Sequence, residues 1–110
     1  MRKRIEAYIP KALEAIETLS ISSKDGKVAK QFNGYISSFG ASIRQAGLLA
    51  TSLFYGEKGG AEEERQKVVQ AIEKIIGKSI QQNIEDKNLK SEVEDAAVAL
   101  KLAIRTYKLV

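Results

Sequence analysis

The sequence contains no cysteine, no histidine and no tryptophan, and has a single proline and a single methionine. Without cysteine there is no disulfide, no thiolate metal site and no thiol nucleophile. Without histidine, the commonest metal ligand and the usual general base at neutral pH are missing. Ser-His-Asp chemistry and H-E-x-x-H zinc sites are excluded with it. Long apolar runs are lacking too, and none approaches the roughly 20 residues that a membrane-spanning helix needs. Met1 opens a charged segment, Met-Arg-Lys-Arg, with no apolar stretch behind it of the kind a secretory signal carries. These absences lead us to expect a cytoplasmic protein with no membrane partner, no cofactor, no metal and no catalytic residue.

What remains is ordinary for a small folded chain. The 110 residues are 44% hydrophobic and 29% charged. That composition is globular, and the length suits one domain covering residues 1–110 that buries about 65% of its unfolded surface. The formal charge is +4. Such a basic bias permits contact with nucleic acid or an acidic partner and requires neither. Abundant Lys and Glu with little Met and no Cys also fit a thermophilic source.

The chain is centred on residues 30–56, KQFNGYISSFGASIRQAGLLATSLFYG. This stretch holds Phe32, Tyr35, Phe39, Phe54 and Tyr55, and only Lys30 and Arg44 are charged. A charge-poor, glycine-punctuated centre between charged helices predicts the core of a helical bundle, with Phe32 to Phe54 buried. Before it, residues 2–19 place Ile5, Ile9, Ala12, Leu13, Ile16 and Leu19 three and four apart, one helix face, with Pro10 bending the helix. Ser22, Ser23, Asp25 and Gly26 form a turn, in which Ser23 or Asp25 can cap a helix over residues 27–39. Gly40 and Gly47 are candidate breaks, and Gly56-Glu-Lys-Gly-Gly60 a loop. Glu62, Glu63 and Glu64 open a helix whose stripe is Val68, Val69, Ile72, Ile75 and Ile76, ended by Gly77. Residues 79–90 read as a short helix or structured loop. Ser91 with Glu94 forms a capping box for a last helix reaching about Leu109. The expectation is an all-α, compact single-domain bundle of five or six helices.

Candidate functional residues are therefore surface residues. Arg2, Lys3 and Arg4 form one basic cluster, Lys24, Lys27 and Lys30 a second, and Lys101, Arg105 and Lys108 a third. The second and third recur at helical spacing and predict cationic helix faces that contact nucleic acid or an acidic partner; the plain alternative is solvated surface. Arg44, with Gln45 beside it, stands in the charge-poor centre. Its guanidinium suits phosphate or carboxylate, and its burial there would be costly unless paired. The alternative is that it reaches out to solvent. Other constellations are weak. Gly56-Glu-Lys-Gly-Gly60 lacks the spacing of a phosphate loop, Glu62 to Glu64 diverge, and Glu92 with Asp95 supplies two carboxylates without a third ligand.

The central motifs resemble a known family. Tyr35-Ile-Ser-Ser-Phe39, Ile43-Arg-Gln-Ala-Gly-Leu48 and Ala50-Thr-Ser-Leu-Phe-Tyr55 are similar to the small subunit of the type III-B CRISPR effector, the Cmr complex. Ala46 stands where that family often has Asn, and Ser42-Ile43 where it is often Pro-rich or Met-containing. The resemblance implies an all-α protein without nuclease activity. It implies copies of the chain stacked along a guide-RNA filament, with the other subunits, the guide RNA and the target RNA as partners. Two other readings are a helical protein-interaction adaptor that makes no RNA contact and a helix-turn-helix protein. The second is disfavoured because LLATSLFY, after Gly47, is too apolar to read a DNA groove.

Overall fold

The computed structural model describes residues 2–56 and 63–110. In chain order it has α1 (Arg2–Thr18), β1 (Lys27–Val28), α2 (Gln31–Ala46), α3 (Leu48–Phe54), α4 (Glu63–Ile76), a 3-10 turn (Gln81–Asn83), α5 (Leu89–Ile104) and β2 (Lys108–Leu109). The architecture is an all-α bundle of five helices, as the periodicity predicts, with the two short strands pairing at one end.

The bundle is organised around α5 rather than around the aromatic centre. Leu89, Val93, Ala96, Ala97, Ala99, Leu100, Ala103 and Ile104 are all buried, and α1, α2 and α4 each pack on this helix. Its alanines leave no long side chain between backbones, so neighbouring helices approach closely and fill the space with their own Ile, Phe and Val. From α1 come Ala12, Ala15 and Ile16; from α4 Val68, Ala71, Ile72 and Ile75; from α2 Phe32, Ile36, Phe39 and Ile43. α1 runs unbroken through Pro10, which lies on the exposed face.

The central stretch divides in two. On α2 the steps of four, three and four between Phe32, Ile36, Phe39 and Ile43 make one buried seam, and Gly40 does not break the helix. Gly47, at φ +92°, does: this backbone conformation favours glycine, and α3 starts on its far side. The expectation that burial extends through Phe54 is corrected here. The buried face of α3 is Thr51 and Ser52, followed by Tyr55, whereas Leu49, Leu53 and Phe54 are exposed, Phe54 by 59%. The small hydroxyl residues let α3 lie close to α2, where Ser42 Oγ and Thr51 Oγ1 share a hydrogen bond of 2.8 Å. Tyr55, not Phe54, reaches the core and meets Phe39 edge-on with centroids 5.2 Å apart.

Three further helix boundaries differ from expectation. Ser23 and Asp25 do not cap a helix. Ser23 Oγ donates to Asp25 and accepts from the Lys27 N–H at 3.1 Å, and Gly26 at φ +77° completes a turn into β1. Residues 27 and 28 are therefore strand, and α2 begins at Gln31. α5 starts at Leu89, ahead of the expected capping box, so Ser91 lies inside the helix with its hydroxyl turned back to the Asn88 carbonyl. It also ends at Ile104, short of Leu109. The Thr106 hydroxyl bonds the Ala103 carbonyl at 2.8 Å, and the chain turns into β2, parallel to β1. The expected opening at Glu62 and the loop residues 57–60 lie outside the described residues, while Glu63 and Glu64 do occupy the first turn of α4.

Candidate nucleic-acid or partner interface

The strand pair rearranges the cationic residues. Lys24 lies in the turn before β1, Lys27 in β1, Lys30 just ahead of α2, Arg105 just past α5 and Lys108 in β2. The Lys24/Lys27/Lys30 set and the Lys101/Arg105/Lys108 set are thus not helix faces, and the physical reason is that both run into the β1–β2 pair. The pairing instead joins them: Lys27 and Lys108 are register partners although far apart in sequence. Val28 is fully buried, and Lys27 and Lys108 are exposed. Like charges on opposed residues of a strand pair repel, so Lys27 and Lys108 make this a cationic end of the molecule. Asp25 answers part of the charge, its carboxylate 3.2 Å from Lys27 Nζ. The hydrogen bond from Ser23, then that from Lys27, holds Asp25 below the usual aspartate pKa, so it is charged at neutral pH. Lys24, Lys30, Arg105 and Lys108 make no ion pair among the described residues.

Arg44 and Lys101 form a second group. They line a groove of about 260 Å³ between α2 and α5, whose floor is Ile36, Gly40, Ala97 and Val98. Lys101 Nζ donates to Ser37 Oγ at 2.6 Å, and Glu94 also borders the groove. Arg44 and Gln45 are exposed in the last turn of α2. The burial argument for Arg44 fails: a residue one step from buried Ile43 on a helix points away from it, and Arg44 reaches solvent without a carboxylate partner among the described residues. Val98 and Leu102 on α5 and Leu49, Leu53 and Phe54 on α3 are the large exposed apolar residues outside the β2 end.

The acids that might suggest a metal are engaged by cations. Lys78 Nζ lies 2.9 Å from Glu92 and 3.6 Å from Asp86, and Glu92 foremost raises the Lys78 pKa. Asp95 lies 3.4 Å from Arg4, which also donates to Ser91 Oγ at 2.9 Å. Arg4 thus ties α1 to α5 rather than extending a basic patch into solvent. No group of three or more candidate metal ligands occurs among the described residues, and no helix there is long and apolar enough to cross a membrane.

Sequence periodicity missed the Lys27–Lys108 convergence because it counted both segments as helix. The signals that could have found it are the Ser-Lys-Asp-Gly turn before Val28 and the run Thr106, Tyr107, Leu109 and Val110, rich in strand-forming types.

The fold and its surface define a small helical bundle that offers two cationic groups and exposed apolar residues. Residues 5–106 match the family described as CRISPR-associated protein (Cas_Cmr5), and the chain belongs to that family. No curated protein and no solved structure matches it.

Proposed function

We propose that the chain is a non-catalytic structural subunit of an RNA-guided, RNA-targeting type III-B CRISPR effector complex, where copies of it line the guide and target RNA channel and stabilise the helical filament. The family match over residues 5–106 carries this reading. The surface is compatible with it: exposed lysines at the β1–β2 end, and Arg44 with Lys101 along the α2–α5 groove, are cationic groups of the kind that bind phosphate or acidic side chains. One protomer supplies few such contacts, so the isolated chain should bind RNA weakly and lose it steeply with salt, and repeated copies add avidity.

The test is charge reversal of Lys27, Lys30 and Arg44 together, checked first for an unaltered melt. The variant should incorporate poorly into the complex, or the complex should retain less target RNA as salt is raised. Unchanged assembly and unchanged RNA retention would show these residues to be solvated surface. In that outcome the exposed Leu49, Leu53 and Phe54 of α3 favour the second reading, a helical adaptor that binds protein through an apolar face.

A further inference from the structure

β1 and β2 are held together by a short set of backbone bonds. Lys108 N–H donates to the Gly26 carbonyl at 3.2 Å, Val110 N–H to the Val28 carbonyl at 2.9 Å, and Lys30 N–H to the Val110 carbonyl oxygen at 3.2 Å. A ladder this short opens locally at little cost compared with unfolding the bundle. Its outer face carries the opposed pair Lys27 and Lys108, with Lys24 and Lys30 in the flanking segments. Beside it lies a hollow of about 310 Å³ bordered by Ser23, Lys24, Gly26 and the half-buried Tyr107, with Glu17 on its rim.

We propose that Lys27 and Lys108 form one composite site for the phosphodiester backbone of single-stranded RNA, complete only while β1 and β2 are paired, so that RNA binding locks β2 onto the body of the protein. The inference rests on the RNA-contact reading above and adds where the contact lies and what it does to the fold. Lysine ammonium groups are point charges with rotatable donors, suited to oxygens strung along a phosphate backbone. The lysines at positions 24, 27, 30 and 108 are several separate point charges, an arrangement that meets successive phosphates of a chain rather than one carboxylate held bidentate. Asp25 already pairs with Lys27, so an incoming phosphate competes with it there, whereas Lys108 is exposed on the strand face with no acid against it among the described residues. The Tyr107 ring edges the hollow, where a base can stack without sequence preference. Opening the ladder separates the two lysines and splits the site. By linkage, a ligand that needs both must oppose opening.

The experiment is amide hydrogen exchange of the full chain by nuclear magnetic resonance, at low salt and under conditions where exchange follows the opening equilibrium, titrated with a ten-nucleotide oligouridylate. Exchange at the Lys108 and Val110 amides should slow by the factor 1 + [RNA]/Kd, about elevenfold at ten times Kd. In the Lys27→Gln/Lys108→Gln double variant, whose backbone ladder remains, RNA should bind more weakly, and a fixed RNA concentration should no longer slow these amides. Poly-glutamate of matched charge should protect much less than RNA. RNA that binds without slowing either amide overturns the composite site and leaves the RNA-contact reading standing. Undiminished protection in the double variant, or equal protection by poly-glutamate, also overturns it. Absence of RNA binding at low salt overturns both.

Discussion

Truncating Phe39 to Ala removes a side chain that is fully buried on α2 and packed edge-on against Tyr55, with centroids 5.2 Å apart. Loss of a buried Phe to Ala costs about 3–5 kcal/mol in transfer and cavity terms. The lost aromatic pair adds on the order of 0.5–1.5 kcal/mol where neighbours cannot close around the gap. Against a typical total of about 5–15 kcal/mol, Phe39→Ala should therefore remove a large share of the protein's stability. Phe54 is one position from Tyr55 and chemically identical to Phe39, yet it is 59% exposed. A Phe buries about 200 Å² at most, so the covered fraction here is worth no more than about 2 kcal/mol at 25 cal/mol per Å². Alanine's better helix propensity returns about 0.5 kcal/mol of that, leaving on the order of 1 kcal/mol. Urea melts of both variants measure the difference, with an unchanged denaturant slope as the check that only stability has moved. A Phe54→Ala loss equal to that of Phe39→Ala would refute the division of the aromatic stretch into a buried α2 seam and an exposed α3 face.

Asp25→Asn keeps an acceptor for Ser23 and removes the charge beside Lys27, so RNA binding should tighten and the logarithmic salt slope should steepen by up to about 0.7, the increment for one phosphate on a single strand. A fluorescence-anisotropy titration at several salt concentrations reads both. Because the folded pKa of Asp25 is lowered, its favourable contacts with Ser23 and Lys27 are present above its unfolded pKa and fade as pH falls through the folded value. RNA affinity of the wild-type chain should rise over that acidic window, and the rise attributable to Asp25 should vanish in Asp25→Asn. Gly47→Ala should destabilise by about 1–3 kcal/mol, because φ +92° is strained for any side chain even though nothing lies within 4 Å of the added Cβ; a neutral melt would show that the α2–α3 corner relaxes. Incubation of the purified chain with labelled RNA and DNA and with Mg²⁺ or Mn²⁺ should leave both intact, and cleavage that co-purifies with the chain and disappears on Glu92→Gln would overturn the non-catalytic reading.

Helix periodicity was legible wherever one stripe faced one core. The Phe32, Ile36, Phe39 and Ile43 seam and the Val68, Ile72 and Ile75 stripe appear in the fold as they stand in the sequence. It misled where a segment is apolar all round. On α3 the pattern of Leu48, Leu49, Leu53, Phe54 and Tyr55 does not say which side is inward; Thr51 and Ser52 decide it, because their small size permits close approach to α2 and their hydroxyls find Ser42 and the Leu49 carbonyl. Local propensity also hid the importance of α5, whose many alanines look inconspicuous and yet set the spacing of the bundle. The candidate interface was the least legible part, since it depends on a long-range pairing. Lysines at positions 24, 27 and 30 satisfy helical spacing on their own, and it is the bonds from the Lys108 and Val110 N–H groups to the Gly26 and Val28 carbonyls that make that segment a strand. The same pairing that invalidated two helical basic faces produced one denser cationic end. Residues 27 and 108 share a face through backbone register rather than through helix repeat, so spacing within either segment carries no trace of the other.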